Sequence, residues 1–348
     1  MVRTVSGRPG SVDSSAGSPS GAPPDFLGFP GFLGFRGFRR RWARFVRRHR
    51  LAPYLLILPS AAVIAALVIW PTVQIAEFSF QNYGLPQLTG SSPTQWVGLA
   101  NYAQILHDPE FWLSLRLSVL SAVVMVPLTL VIGTLVGLLL SRLGRKMAAF
   151  VSSVSILAWA TPAVSASVIF VWLATPDGGV VDWFLSKLPA WLGGGAHWAG
   201  FSWTNAALPA YTLATAVVVW LGFPFIAVSV LAGLRTIPTE LFESARVDGG
   251  GPWTIFWRVT YPLLRPIFQV LFLLSVIWDF GVFTQVFIII GELGQRDEYN
   301  LGIYEYATAF QLPPAYGVAS ALAFILTIIL LIITVGYVRA SVREGALT

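Results

Sequence analysis

Few side chains in this chain could do chemistry, and they fall in two places. One is Asp279, the single ionisable residue deep within an apolar run that reads Ser275-Val276-Ile277-Trp278-Asp279-Phe280-Gly281-Val282-Phe283-Thr284-Gln285. A carboxylate at the centre of a membrane span costs about 2.5–3.5 kcal/mol on insertion scales. It is therefore expected to face a cavity or a partner helix rather than lipid. Trp278, Phe283, Thr284 and Gln285 surround it, and Trp220 in the preceding apolar run is assigned to the same pathway. Aromatic faces beside hydrogen-bonding groups suit a sugar, which has apolar C–H faces and a rim of hydroxyls. Pairing of Asp279 with a partner helix, with Trp278 and Phe283 as ordinary packing, is the competing reading. On a continuous helix Asp279 and Phe283 share a face and Gln285 lies off it, so an opening bordered by all three must be wide.

The other place is residues 243–262, a polar, glycine-broken stretch between two long apolar runs. Such a stretch is too costly to leave in lipid and must lie in water or against protein. Pro238 can open a helix, and Glu240 falls in its first turn, where the helix dipole favours an acid. Asp248 and Gly249 end it, because glycine takes the positive φ of a helix C-cap without steric cost. Pro252 starts a second short helix with Trp253, Phe256 and Trp257 on one face, and Pro262 is expected to stop it. The predicted shape is helix, hinge at 249–251, helix, with an aromatic knob. It fits docking on a partner, and an amphipathic connector resting on headgroups fits it equally well.

Other chemistries lack their residues. The chain has no Cys, so disulfides, thiolate metal sites and a cysteine nucleophile are excluded. His49, His107 and His197 are far apart and offer no zinc-ligand spacing. No span holds a His or a pair of acids, which leaves membrane-embedded catalysis without a constellation. The net charge of +6 is not a nucleic-acid footprint, because the basic residues cluster at the edges of apolar runs.

These residues need elements to hold them. The 348-residue chain is 55% hydrophobic and only 11% charged, against about 25% charged in soluble domains, so lipid is its main solvent. Six runs have spanning length, at about 52–75, 117–140, 150–174, 206–234, 266–290 and 317–338. The expected fold is an all-α polytopic membrane protein. A basic tail (1–50), a six-helix domain (51–338) carrying the loop 236–262, and a short C-terminal tail (339–348) divide it. With six spans, 19 of the 22 Lys and Arg fall on one side, leaving Arg116, Lys187 and Arg296 on the other. That bias predicts both termini in the cytoplasm. Residues 1–35, rich in Gly, Ser and Pro and then in Gly-Phe, are expected to be disordered. Their Phe residues beside Arg36 and its neighbours either rest on an anionic membrane surface or stay solvated. The basic run before the first apolar stretch imitates a signal peptide, but the stretch is of spanning length and no cleavage site follows it. The hydrophilic stretch 176–203 is expected outside, as a partner contact or as a connector.

The loop resembles the cytoplasmic "EAA" loop of ATP-binding-cassette importer permeases. Glu243, Ala245, Asp248 and Gly249 match its pattern and Pro262 closes it at the right interval, while Ser244 and Gly250 stand where alanines are usual. From residue 50 onward the chain is similar to carbohydrate-importer permeases of the maltose/glycerol-phosphate type, first-permease subfamily. Pro53, Tyr54, Pro59, Pro71, Ser79 and Phe80 fit its first span. Val97-Gly98-Leu99-Ala100-Asn101-Tyr102 and Asp108-Pro109 fit its first outer loop, and Trp220, Pro224, Gly233 and Pro238 lead into the EAA loop in order. The run from Trp278 to Gln285, with Asn300 to Tyr304 after it, resembles permeases for amino-sugar oligomers such as chitobiose.

The resemblance implies a type I importer permease of the bacterial cytoplasmic membrane that pairs with a second permease subunit, a dimer of ATP-binding subunits and an extracytoplasmic solute-binding protein. It implies a carbohydrate substrate and no nucleic acid. Glu243, Ser244, Ala245, Asp248, Gly249, Trp253, Phe256 and Pro262 would couple to the ATPase. The chain lacks a phosphate-binding Gly-x-x-x-x-Gly-Lys-Ser/Thr motif. It therefore carries no cofactor of its own, and ATP-Mg would sit on the partner. A proton-coupled secondary transporter with Asp279 as relay is the alternative, although no inverted repeat supports it. A membrane scaffold without transport activity is a third reading.

Overall fold

The computed structural model describes residues 52–176, 178–291 and 294–345. The basic tail 1–50 lies outside the described residues, as does the very end of the C-terminal tail. The chain divides into two units, residues 1–69 and 70–348. In the first, helix α1 (Ala52–Ile64) passes into a π-helical turn at Ala65–Ile69, with apolar, exposed side chains.

The second unit opens with α2 (Trp70–Phe78). A two-residue antiparallel ladder follows, pairing Gln81 with Trp96 and Asn82 with Gln95 around the short α3 (Leu85–Leu88). Then come α4 (Ala100–His107), α5 (Pro109–Arg142), α6 (Arg145–Trp159), α7 (Ala163–Leu173), α8 (Val180–Lys187) and α9 (Ala207–Leu234). The loop helix α10 (Thr239–Val247) leads to α11 (Pro252–Ile255), a π turn at Phe256–Thr260, and α12 (Tyr261–Phe280). The chain closes with α13 (Thr284–Ile289), α14 (Leu301–Phe310) and α15 (Tyr316–Gly345).

Among the described residues, five helical stretches have the length and hydropathy to cross a membrane, or six if one bent pair counts as a single span. That pair occupies the expected third crossing at 150–174, which is broken rather than straight: α6 and α7 meet at a bend of 91°. Pro162 has no N–H and opens α7 as its N-cap, which forces the break. The second crossing is longer than expected. Asp108 accepts a hydrogen bond from Glu110 N at 2.9 Å and Pro109 takes the first helical position, so α5 starts eight residues before the apolar run.

The bundle is organised by α5 against α9. A Cβ added at Gly133 would lie 2.5 Å from Ile226 Cβ, and one at Gly137 would lie 2.8 Å from the Ala227 carbonyl oxygen. Gly133 and Gly137 form a Gly-x-x-x-Gly stripe. Lipid tails are as apolar as leucine, so close backbone packing of this kind, not hydrophobic exclusion, holds membrane helices together. Ile226, Ala227 and Val230 are nearly fully buried on the facing side.

The end of the bundle away from α10 is closed by residues 294–310, called here the cap. Tyr211 donates to Glu298 O at 3.0 Å, Leu301 N donates to Ser118 Oγ at 2.9 Å, and Tyr304 donates to Asp108. Arg296 pairs with Glu110 at 3.0 Å on the surface. The stretch 176–203 is folded rather than merely connecting: Trp203 donates to the buried Asp182 at 2.7 Å and stacks on Trp198.

The helix seam and the cap can each be tested. Gly137→Ala pushes α5 off α9 and is expected to cost about 1–3 kcal/mol, lowering the thermal midpoint in detergent. Gly336→Ala, with nothing within 4 Å of the added Cβ, leaves the midpoint unchanged or slightly higher. In the cap, burial raises Glu305 from the ordinary 4.5 to about 7. The folded protein therefore holds a proton that the unfolded chain releases near pH 4.5, and its stability falls as pH rises between those values. Glu305→Gln should raise the melting temperature at pH 8 and leave it nearly unchanged at pH 4.5.

Candidate functional site

The candidate site is a cavity of about 380 Å3 between α9, α12 and the bend joining α6 to α7. Its walls include Trp159, Thr161, Leu221, Gly222, Trp278 and Asp279, with Gly281, Val282, Phe283, Thr284 and Gln285 completing one side. The volume lies toward the low end of small-molecule sites.

Its geometry depends on a second break. α12 ends at Phe280 and α13 starts at Thr284, so residues 281–283 are not helical. The expectation of one helix face through Asp279 and Phe283 is thereby corrected. Thr284 and Gln285 line the same cavity as Trp278 and Asp279; on a continuous helix they would point about 140° and about 120° away from Asp279, although Gln285 would stay on the face of Trp278. Glycine at 281 suits such a break, because it has no side chain to pack and disfavours helix continuation.

Asp279 is 7% exposed, and its Oδ2 has no hydrogen-bond partner among the described residues. A buried carboxylate oxygen without a donor is costly. A bound hydroxyl or amide N–H would relieve that cost. Trp278 is half-exposed beside it, and Trp159 closes the same wall, with Phe225 packed between the two rings at 5.9 and 5.6 Å. The cavity thus offers aromatic faces, one unsatisfied acceptor, and the Thr284 and Gln285 side chains.

Trp220 does not line this cavity; it packs on Phe170 at 5.9 Å. Trp159, Thr161 and Leu221 were missed from sequence. The signal for the first two was Thr161-Pro162, which marks a helix break just after Trp159. No group of three or more His, Asp or Glu suited to a metal ion occurs among the described residues.

The loop at the other end is more rigid than a hinge. Gly249 has φ +81°, Gly249 N donates to Arg246 O at 3.0 Å and Gly250 N donates to Ala245 O at 2.8 Å. This is the paired 5→2 and 6→1 bonding of a Schellman cap. Gly250 is required by contact, since a Cβ there would lie 2.6 Å from the Ala245 carbonyl oxygen. Phe242 anchors α10 by packing against the cluster of Ile226, Val230, Ile237, Leu264 and Leu271. Glu243, Ser244, Asp248 and Gly249 are exposed and Ala245 is half-buried. Trp253 is 74% exposed, with Phe256 and Trp257 packed beside it.

Pro262 does not stop the second helix, contrary to expectation. It sits in the first turn of α12, and the π turn carries the helix past it: Tyr261 N donates to Phe256 O, five residues back. A wide turn shifts the bonding register just where proline cannot donate. The aromatic knob and Asp279 are therefore joined by continuous helical chain.

Comparison with known proteins agrees with this arrangement. Residues 130–344 match the family described as "Binding-protein-dependent transport system inner membrane component". The chain is 39% identical to the diacetylchitobiose uptake system permease protein DasB of Streptomyces coelicolor, over 86% of this chain and 89% of that protein. It is 30% identical to the sulfoquinovosyl glycerol transport system permease protein SmoG of Agrobacterium fabrum, over 86% and 93%. Its fold superposes with a TM-score of 0.70, at 18% identity, on a chain in the crystal structure of a bacterial ABC transporter that imports the acidic polysaccharide alginate, covering 87% of this chain and 99% of that one. The chain is a multi-pass membrane protein and belongs to the family of binding-protein-dependent transport system inner membrane components.

Proposed function

We propose that this chain forms one half of the membrane pathway of an ATP-driven carbohydrate importer, and that the cavity around Asp279 takes a short N-acetylated sugar oligomer in transit. The observation that carries the reading is the cavity's composition: Trp159 and Trp278 present aromatic faces beside a buried, unsatisfied carboxylate oxygen. Sugar rings offer C–H faces to the first and hydroxyl or acetamido N–H donors to the second. The similarity to a diacetylchitobiose permease over 86% of this chain and 89% of that protein supports the N-acetylated class. Family membership favours this reading over a proton-coupled carrier with Asp279 as relay.

In such systems ATP hydrolysis belongs to separate subunits. The exposed loop helix α10 and the Trp253 knob are the handle that an ATP-binding subunit grips, and both termini lie on that same, cytoplasmic side. A second permease subunit completes the cavity, and a solute-binding protein delivers sugar at the cap end. ATP shifts the inward–outward equilibrium only if its subunit contacts the loop differently in the two states.

Co-purification of the complex, followed by ATPase assay with mono- and oligosaccharides, tests the whole reading. Stimulation by N,N′-diacetylchitobiose is expected, and a complex stimulated by no sugar rejects it. Gly249→Pro cannot adopt φ +81° and loses the bond to Arg246 O, so sugar-stimulated ATPase should fall to roughly a tenth or less while membrane insertion is retained. Glu243→Lys should do the same through charge reversal at the docking face. Asp279→Leu should leave sugar-independent ATPase intact and reduce the sugar-stimulated part about tenfold, the loss of one charge-assisted hydrogen bond.

A further inference from the structure

The break at 281–283 leaves a carbonyl that needs a donor. In an apolar bundle an unpaired backbone oxygen costs several kcal/mol, and Val282 is nearly buried. Its oxygen accepts from the side-chain amide of Asn300, eighteen residues on and 1% exposed. The same side chain caps α14, where Asn300 Oδ1 accepts from Ile303 N at 3.0 Å. The next residue is held as firmly, since Leu301 N donates to the buried Ser118 Oγ on α5. Gly302 lies against Phe283, where an added Cβ would be 3.6 Å from the Phe283 Cβ. One amide is thus shared between the first turn of the cap helix and the broken strand of backbone that lines the cavity.

We propose that Asn300 is a positioning residue for the cavity: by donating to the Val282 carbonyl it maintains the break that aims Asp279 and Gln285 into one space. Without that donor the break leaves the Val282 oxygen unpaired, and a continuous helix is the competing state. In that helix Gln285 turns about 120° away from the face of Asp279, and the polar lining divides. The proposal rests on the cavity being the sugar pathway, and it adds that cap and cavity share one hydrogen-bonded joint.

Two substitutions separate the two roles of the amide. Asn300→Ser retains an oxygen able to cap α14 but is too short to reach Val282, whereas Asn300→Ala loses both functions. The chain contains no Cys, so Gln285→Cys introduces a single thiol whose alkylation by N-ethylmaleimide can be read by mass spectrometry of this subunit in the purified complex. In that background Asn300→Ser and Asn300→Ala should both change the alkylation rate of the introduced thiol, by roughly fivefold or more if one buried hydrogen bond sets the geometry. With Gln285 restored, both should lower kcat for sugar-stimulated ATPase and leave the KM for loaded binding protein unchanged. Wild-type behaviour of Asn300→Ser beside an impaired Asn300→Ala overturns the proposal, since capping alone would then matter. A raised KM with unchanged kcat also overturns it, because the cap would then serve docking. If neither variant folds, Ser118→Ala, which slackens the adjoining anchor, must change the alkylation rate of that thiol, and an unchanged rate rejects the proposal. A wild-type complex that no sugar stimulates sinks the proposed function, while the alkylation comparison still decides the role of Asn300.

Discussion

The close approach of α5 to α9 is the constraint on which the rest of the structure depends. Gly133 and Gly137 meet Ile226, Ala227 and Val230 at distances that admit no side chain. Gly222 repeats the device from the other helix, where an added Cβ would lie 2.8 Å from Thr129 Cγ2. In lipid, helices gain little from burying leucine against leucine, so backbone proximity and dispersion must hold the pair. Because Gly222 also lines the cavity, the seam that holds the bundle sets one cavity wall. The site is in that sense a by-product of packing, opened where the helices that lean on the seam are interrupted.

Both interruptions obey the same accounting. A chain in a membrane can leave helical geometry only where its polar backbone groups find partners or line a cavity. At the α6–α7 bend, Pro162 has no N–H to satisfy and the exposed Thr161 hydroxyl donates back to Leu157 O at 2.9 Å. At 281–283 the Val282 oxygen takes the Asn300 amide. The two breaks lie beside the same cavity, and between them they supply Trp159 from one side and Thr284 and Gln285 from the other.

Much of this was legible in the sequence, and the unread parts share a cause. The spans, the loop between the fourth and fifth, and the Gly249 turn follow from hydropathy, charge and glycine chemistry, which are local. Trp278 and Asp279 stood out because a charge in an apolar run is conspicuous. Trp159 did not, because it sits well inside an apolar run of spanning length with no charge beside it, and the break at Pro162 that leaves it at the cavity is set by tertiary structure. Trp220 misled for the converse reason: it lies on the right helix, but rotation about that helix is set by Gly222 and Thr129, which periodicity does not reveal. Pro262 was read as a stop because proline ends most helices, and the π turn that carries the chain past it depends on how the next span packs.

That π turn bears on the proposed coupling. Were the second loop helix separate, as a stop at Pro262 implies, movement of the Trp253 knob would be absorbed in the joint. Helical bonding instead runs from Pro252 to Phe280. At 1.5 Å per residue, the 26 residues from Trp253 to Asp279 correspond to about 39 Å of helix, longer than the hydrocarbon core. The Schellman cap at Gly249 sets the turn between α10 and the near end of this rod. The break at 281–283 lies just beyond its far end, where Asn300 joins it to the cap. Under the proposed function, a force applied to the loop has this rod as a stiff route toward Asp279. The same loop also meets the α5–α9 seam, where Phe242 packs against the cluster that holds Ile226 and Val230, so a movement of the loop reaches both the rod and the seam that sets one cavity wall.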